Sequence, residues 1–113
     1  MQRGEIWWAA LSDSPVGSSP GYRRPVVIVQ CQALNQSRLS SVIVVGITGN
    51  LNAVRAPDNV LLQPRDSGLS RESVVNVSQV LTLDRSQMLE RVSLLPFEIM
   101  FSINSSLRRV LEL

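Results

Sequence analysis

The sequence predicts an α+β fold that is mainly β, a small twisted barrel or half-barrel of six or seven short strands with one C-terminal helix. Apolar residues recur with the period of about two of a half-buried strand over most of the chain, and the period changes to about 3.6 from Pro96 onward. A length of 113 residues and an apolar share of 44% suit one packed core. We therefore expect residues 1–113 to form a single domain.

Short apolar segments with the alternation or composition of strands follow one another along the chain. They cover residues 3–11, 24–32, 42–48, 60–62, 73–77 and 80–83, with a last short one at 92–94. In the first segment Trp7 and Trp8 point to opposite faces, so they cannot share one packing layer. The uninterrupted apolar run at 26–29 predicts that the second strand is buried on both faces.

The C-terminal segment has the pattern of an amphipathic helix. One apolar stripe is formed by Ile99, Met100, Ile103, Leu107, Val110 and Leu111. Pro96 suits the first helical turn, and Glu98 and the pair Arg108 and Arg109 match the two ends of the helix dipole. We expect this helix to cap the sheet.

The composition excludes several kinds of site. The formal net charge is +2, every cationic side chain is an arginine, and there is no histidine. Cys31 is the single cysteine, so the chain cannot form an internal disulfide, and a zinc site lacks its usual ligands. Without a histidine partner Cys31 is better interpreted as a small buried apolar side chain than as a nucleophile. We expect neither a metal nor an organic cofactor.

The sequence also argues against a membrane protein. No apolar run approaches the roughly 18 residues that a membrane span needs. The first residues include Arg3 and Glu5 but no apolar stretch of the kind found in export signals. We therefore expect a cytoplasmic protein, and the mild positive charge is compatible with a nucleic-acid partner.

Two polar side chains stand where predicted strands meet loops. The loop at 12–23, rich in glycine, proline and serine, leads into a strand at Arg24, and Pro25 biases Arg24 toward an extended backbone. Thr48 ends the strand at 42–48. An arginine and a hydroxyl at two strand ends predict a site that handles phosphate, because a sheet fixes such groups while loops shape the pocket.

This pair suits the chemistry of RNA cleavage. RNA supplies its own nucleophile, the 2′-hydroxyl, so an enzyme must supply geometry and donors for the charge that develops on the phosphoryl oxygens. Arg24 can give two parallel donors, and Thr48 can give one. A guanidinium, with a pKa above about 12, is a poor general base. The proton acceptor therefore stays open, and Glu5 is one carboxylate alternative.

Other polar and aromatic residues are candidates for substrate binding. They are Ser18, Ser19, Tyr22, Arg23, Asn50, Arg55 and Gln79. Arginines can contact phosphates, Tyr22 can stack on an unpaired base, and Gln79 can hydrogen-bond to a base edge. Each also has a structural interpretation, as a solvated arginine, a loop-shaping serine or a strand-end hydrogen bond.

Three segments resemble one known family. They are residues 3–7 (RGEIW), residues 17–27 (GSSPGYRRPVV) and the stretch from Gly68 to Asp84 with SVV, QV and LD. In this order and spacing they resemble the MazF/PemK toxins. The resemblance implies a small SH3-like barrel of the CcdB/PemK type and a homodimeric, metal-independent endoribonuclease. Such an enzyme cuts single-stranded RNA (mRNA) at short sequence motifs and leaves 2′,3′-cyclic phosphate and 5′-hydroxyl ends.

The resemblance also assigns residues and a partner. The family's catalytic arginine and threonine fall on Arg24 and Thr48, and the serine of its loop motif falls on Ser18. Many members have Glu-Gln where this chain has Ser19 and Pro20. A cognate MazE-like antitoxin is implied, whose acidic and hydrophobic tail we expect to contact the 12–23 loop and to compete with RNA.

Two other functions remain open from the sequence. One is a non-catalytic toxin like the CcdB gyrase poisons, which act by binding a protein. The other is an SH3-like interaction module with a degenerate site. Arg24 and Thr48 favour the ribonuclease, because neither alternative needs that pair.

Overall fold

The structure is a computed structural model that describes residues 1–11 and 22–113. Within that part the chain forms six strands and three helices. In chain order they are β1 (Glu5–Ala10), β2 (Arg23–Ile28), α1 (Gln32–Asn35), β3 (Ser41–Thr48), β4 (Val60–Leu62), α2 (Pro64–Ser67), β5 (Ser73–Asp84), β6 (Met88–Leu94) and α3 (Phe97–Leu111). Two 3₁₀ turns, Leu51–Arg55 and Arg85–Gln87, complete the regular structure of this part.

The strands form one antiparallel sheet in the order β4-β5-β3-β2-β1-β6. The sheet curls into a half-barrel, and α3 packs at its side. The prediction of a mainly β fold with six or seven strands and a C-terminal helix is therefore confirmed.

Apolar side chains on the two faces of the sheet build two core clusters. Val27 and Val45 belong to the cluster that also holds Met100 and Ile103 of α3. The intervening residues belong to the second cluster, which includes Ala9, Val26, Ile28, Val44, Leu83 and Met88. This alternation confirms that β2 is buried on both faces. Trp8 packs against the first cluster and Trp7 against the second.

The helix α3 follows the predicted apolar stripe in its first half. Pro96 caps it with an extended backbone, and the first helical residue is Phe97. Met100 and Ile103 are buried, whereas Val110 and Leu111 at the other end are exposed. No helix in the described ranges has both the length and the apolar character needed to cross a membrane.

The structure corrects three details of the sequence-based strands. The segments at 73–77 and 80–83 are one strand, β5, because the polar residues Ser78 and Gln79 lie in an irregularity of the pairing and do not end the strand. The strand predicted at 92–94 is longer and begins at Met88, since its outer face is polar. The strand predicted at 24–32 ends at Ile28.

Cys31 is exposed, so the prediction that it is buried is wrong. The reason is the early end of β2. Cys31 stands at the N-cap of α1, outside the sheet whose burial the apolar run suggested.

Candidate active site

Arg24 and Thr48 occupy matching positions on neighbouring strands. The register of β2 and β3 pairs Val26 with Gly46 and Val27 with Val45. Extending that register by two residues places Arg24 opposite Thr48. Residues that face each other across antiparallel strands project from the same side of the sheet. Both are half-buried, so the two groups that the sequence singled out stand at one edge of one face.

The hydroxyl of Thr48 is held by a hydrogen bond from the chain that follows it. Its Oγ1 accepts the backbone N–H of Asn50 at 3.1 Å. A threonine hydroxyl has one proton to donate and lone pairs to accept with. Because the contact with Asn50 uses a lone pair, the hydroxyl keeps its proton for a ligand. Asn50 itself caps the next turn, where its Oδ1 accepts the N–H of Asn52 at 3.1 Å.

Gln79 reaches the same face through the irregularity in β5. Val45 pairs with Val80 and Gly46 with Asn76, so three residues of β5 bulge out between these pairs. A Cβ on Gly46 would lie 2.2 Å from Oε1 of Gln79 and 2.8 Å from its Cδ. The half-buried Gln79 amide therefore lies directly over the Gly46 backbone, two residues before Thr48.

A cleft of about 230 Å³ opens beside Arg24. The residues that line it are Trp8, Arg23, Arg24, Pro25, Ile47, Gly49, Leu69, Ser70, Arg71, Glu72 and Ser73. Thr48 itself is not a lining residue, although its sequence neighbours Ile47 and Gly49 are. The guanidinium of Arg23 lies 5.7 Å from the ring centroid of Trp8, and it forms an ion pair with Glu90 at 3.4 Å.

The remaining predicted residues lie elsewhere or outside the described ranges. Ser18 and Ser19 fall in residues 12–21, which the structure does not describe. Tyr22 is exposed, and its backbone carbonyl accepts the N–H of Leu11 at 3.2 Å. Arg55 is exposed at the end of a 3₁₀ turn and does not line the cleft. Of the candidates, Arg24, Thr48 and Gln79 thus belong to one face of the sheet, whereas Arg23 lies over Trp8 on the other face.

The carboxylate of Glu5, which the sequence offered as a base, is occupied by hydrogen bonds within the fold. Its carboxylate accepts hydrogen bonds from Arg91 Nε, from Trp7 Nε1 at 3.1 Å and from the Gln2 N–H at 2.8 Å. Burial acts to raise the pKa of Glu5, but these hydrogen bonds outweigh it and hold the pKa below its ordinary value. Arg24 pairs with Ala9, which lies about 13 Å from Glu5 along β1, at about 3.3 Å per residue. Glu5 is therefore distant from the backbone of Arg24.

The sequence interpretation missed one wall of the cleft. Ser70, Arg71 and Glu72 come from the segment between α2 and β5. The sequence does mark these residues, because they form a polar run between the turn at Gly68 and an apolar strand. Arg24 was singled out for the same reason, as a polar residue where a loop meets a strand. A larger groove of about 450 Å³, mostly apolar, lies at the opposite end of β2 near Val29 and Gln30.

The described residues offer no metal site. Within 1–11 and 22–113 there is no group of three or more His, Cys, Asp or Glu side chains placed to hold an ion. The candidate groups are donors instead: guanidinium, hydroxyl and amide.

Comparisons with known proteins show the family of the chain. The model of the "PemK-like, MazF-like toxin of type II toxin-antitoxin system" matches residues 2–111. The chain is 42% identical over 113 residues to Endoribonuclease MazF6 of Mycobacterium tuberculosis, covering 100% of this chain and 98% of that one. It is 35% identical over 108 residues to Endoribonuclease MazF of Staphylococcus saprophyticus, covering 95% and 88%.

Solved structures show the same fold. A mycobacterial endoribonuclease in complex with its cognate antitoxin superposes with a TM-score of 0.79 at 23% identity, covering 100% of this chain and 96% of that one. A MazE-MazF structure from Deinococcus radiodurans gives 0.80 at 23% identity, with the same coverage. The family match over nearly the full length, together with relatives at 35–42% identity, identifies the chain as a member of the PemK- and MazF-like toxins of type II toxin–antitoxin systems.

Proposed function

We propose that this chain is a metal-independent endoribonuclease toxin that cleaves single-stranded RNA, with Arg24 and Thr48 as catalytic residues. The observation that carries the proposal is the register of β2 and β3, which aligns Arg24 with Thr48 when it is extended two residues beyond the pair Val26 and Gly46. The names of the relatives support the activity, since both are endoribonucleases.

The reaction needs little covalent help from the protein. The 2′-oxygen of the RNA forms a bond with the adjacent phosphorus, and the bond from phosphorus to the 5′-oxygen breaks. The products are a 2′,3′-cyclic phosphate and a 5′-hydroxyl. A base takes the 2′-hydroxyl proton, and the leaving 5′-oxygen acquires a proton. The rest of the barrier concerns orientation and the charge on the phosphoryl oxygens.

Arg24 and Thr48 supply the donors for that charge. A guanidinium donates two parallel hydrogen bonds to two phosphoryl oxygens, and it keeps its charge throughout. The Thr48 hydroxyl accepts a hydrogen bond from the N–H of Asn50 and donates a hydrogen bond to a phosphoryl oxygen. Each donor acts on charge that is larger in the transition state than in the bound substrate, so its loss lowers kcat.

Two carboxylates, Glu5 and Glu72, are candidates for the proton acceptor. Glu5 is occupied by three hydrogen bonds and stands at the far end of β1. Glu72 is the carboxylate among the described residues that line the cleft. We assign proton acceptance to Glu72, so we expect Glu72→Gln to lower kcat in the RNA cleavage assay.

The biological setting follows from the family. A toxin of a toxin–antitoxin pair is neutralised by a cognate antitoxin, here a MazE-like protein. We propose that its acidic and hydrophobic tail competes with RNA for the arginine-lined cleft and the 12–23 loop, that the toxin works as a homodimer, and that it acts on mRNA in the cytoplasm. Simultaneous binding of RNA and antitoxin at full affinity would contradict the competition.

The activity is tested with mixed-sequence single-stranded RNA in excess EDTA. Wild-type protein, Arg24→Ala and Arg38→Ala are compared, and the product ends are mapped. Arg38 is an exposed arginine that precedes β3 and lies outside the cleft, so it controls for lost charge. We expect 5′-hydroxyl ends from the wild type and the control, and none from Arg24→Ala. Intact RNA with folded wild-type protein would favour a protein-binding function.

A further inference from the structure

The segment that follows Thr48 is held by polar contacts. It makes one 3₁₀ turn, Leu51–Arg55, and then reaches β4 at Val60. In the described part of the chain, none of the five residues of this turn is buried, so packing in the core does not hold it. The position of the turn therefore depends on its hydrogen bonds.

The half-buried side chain of Asn59 joins this turn to β5. Its Oδ1 accepts the N–H of Val77 at 3.1 Å, and its Nδ2 donates to the carbonyl of Ala53 at 2.9 Å. The β4–β5 ladder begins at the pair Val60 and Val75, so Val77 lies beyond it, and the Asn59 side chain supplies the acceptor there. Because one partner donates and the other accepts, a single orientation of the amide satisfies both.

From Ala53 the hydrogen bonds continue to the hydroxyl of Thr48. The Ala53 N–H donates to the carbonyl of Asn50 at 3.0 Å. The Asn50 N–H in turn donates to Thr48 Oγ1 at 3.1 Å. The bulge of β5 is thus linked through Asn59 and the 3₁₀ turn to the hydroxyl at the end of β3.

The residue before Asn59 is fixed from the helix α3. Asp58 adopts a left-handed φ of 69°, which residues other than glycine rarely take. Its Oδ1 accepts a hydrogen bond from Nε of Arg109 at 2.6 Å. This surface ion pair contributes little stability by itself, but it restrains the backbone beside Asn59. Asn59 is therefore supported on its own side, as a residue that positions another must be.

We propose that Asn59 is a positioning residue for RNA cleavage, which acts through the N–H of Asn50 on the hydroxyl of Thr48. This assignment rests on the proposed ribonuclease activity and on the catalytic role of Thr48. The Asn50 N–H occupies a lone pair of the hydroxyl, which leaves its proton for the phosphoryl oxygen. Without Asn59 the turn moves and the hydroxyl samples other rotamers, so the transition state loses a fixed donor.

The kinetic test compares Asn59→Ala with Gln30→Ala, a matched control at the other end of β3. Gln30 Oε1 accepts the N–H of Ile43 at 3.2 Å, and its Nε2 donates to the Ser41 carbonyl at 3.4 Å. Each variant loses an amide bridge, so we expect each Tm to fall by about 5 °C. On an RNA oligonucleotide in EDTA, we expect Asn59→Ala to lower kcat by about tenfold with KM within about twofold, and Gln30→Ala to keep both.

A double-mutant cycle shows whether Asn59 acts through Thr48. The hydroxyl is absent in Thr48→Val, so adding Asn59→Ala should lower the remaining kcat by less than about twofold. Asn59→Asp separates the two contacts of the amide, because a carboxylate accepts from the Val77 N–H but has no proton for the Ala53 carbonyl. We expect its kcat to be as low as that of Asn59→Ala, with a higher Tm.

Amide hydrogen exchange followed by NMR gives a readout that is independent of activity. In Asn59→Ala we expect the amides of Asn50 and Ala53 to exchange about tenfold faster than in the wild type. In Gln30→Ala their exchange should stay unchanged.

Three results would overturn the assignment while leaving the ribonuclease intact. The first is an equal kcat for Asn59→Ala and Gln30→Ala, and the second is unchanged exchange at Asn50 in Asn59→Ala. The third is a tenfold effect of Asn59→Ala that persists in Thr48→Val, which would show that Asn59 does not act through the hydroxyl. If the wild type cleaves no RNA in EDTA, the proposed function fails first, and the role of Asn59 fails with it.

Discussion

The arginines at the two ends of the sheet differ in whether they have hydrogen-bond or ion-pair partners within the protein. At the end where β2 leaves the sheet, Arg3 donates to the Val29 carbonyl at 2.9 Å and to Asn104 Oδ1 at 2.8 Å. Arg85 donates to the carbonyls of Leu39, Leu34 and Asn35. At the end where β2 enters and β3 stops, the structure gives Arg24 and Arg71 no such partner among the described residues.

This difference in pairing distinguishes polar groups that stabilise the fold from polar groups that are available to a ligand. A paired polar group in the interior stabilises its neighbours, whereas a buried group without a partner costs free energy. No buried side-chain N or O atom in the described part of the chain lacks a hydrogen bond. In the described part of the chain, the side-chain groups without a hydrogen-bond partner are therefore accessible to solvent, where a ligand can bind to them. We call the two regions the paired end, around Arg3 and Arg85, and the open end, around Arg24 and Thr48.

The largest effect is expected at the hydroxyl of the open end. Thr48→Val keeps the shape and the β-branching of the side chain but removes its donor. We expect kcat to fall by about 100-fold, because a lost transition-state donor has a cost of this order. Single-turnover cleavage of an RNA oligonucleotide measures it.

Thr48→Ser is the matched control for that change. It restores the hydroxyl without the methyl group, so most of the rate should return. Equal rates for Thr48→Val and the wild type would remove Thr48 from the mechanism and reduce the open end to Arg24.

A smaller effect is expected where Gln79 covers Gly46. Gly46→Ala places a Cβ at 2.2 Å from Gln79 Oε1, so the Gln79 side chain must move. We expect a loss of about 1–2 kcal/mol in the free energy of unfolding, as in other over-packed sites. Chemical denaturation followed by tryptophan fluorescence measures the change.

A double-mutant cycle identifies the cause of that loss. In Gln79→Ala the side chain that collides with the new methyl group is absent, so Gly46→Ala should then cost much less. If the cost is the same in both backgrounds, strain in the β3 backbone and not Gln79 explains it, and Gln79 does not cover Gly46 in solution.

The smallest effect is expected at Glu5, which represents a fully paired carboxylate. Its folded-state pKa is lowered, so Glu5 stabilises the protein at pH values above its unfolded pKa, near the ordinary 4.5. This contribution is lost as the pH falls through the lower folded pKa. We expect Glu5→Gln to cost about 1 kcal/mol at pH 7 and nothing at the acidic end.

The measurement is the free energy of unfolding of both proteins as the pH is lowered from neutral to well below the ordinary pKa of a glutamate. The two curves should converge as the pH falls. A difference that stays constant with pH would show that Glu5 acts through packing, and a loss of kcat in Glu5→Gln would return it to the list of possible bases.

Much of the fold could be predicted from the sequence because it depends on local periodicity. The alternation in β1 and β2 and the stripe of α3 specify their faces without knowledge of neighbours. The continuity of β5 could not be predicted in this way. Ser78 and Gln79 are a turn-like pair by composition, and only pairing with β3 shows that the strand passes through them. The same applies to Cys31, whose exposure depends on where β2 ends.

The candidate site could be proposed from the sequence only where local signals mark its residues. Arg24 stands beside Pro25 at a loop–strand junction, and Thr48 ends a strand, so local signals point to both as candidates. Arg71 lies 47 positions after Arg24. Its place in the cleft depends on the sheet order β5-β3-β2, which no local pattern encodes. The role of Gly46 likewise appears only once β5 bulges and places Gln79 over it.

The most direct test of the division between the two ends compares two arginines in one experiment. Arg24→Ala and Arg85→Ala are each measured for kcat on single-stranded RNA in EDTA and for the free energy of unfolding. We predict that Arg24→Ala lowers kcat by about 100-fold, as Thr48→Val does, and changes stability by less than about 0.5 kcal/mol. Arg85→Ala should lose about 2 kcal/mol of stability and keep its kcat. Full cleavage by a folded Arg24→Ala protein would contradict the account.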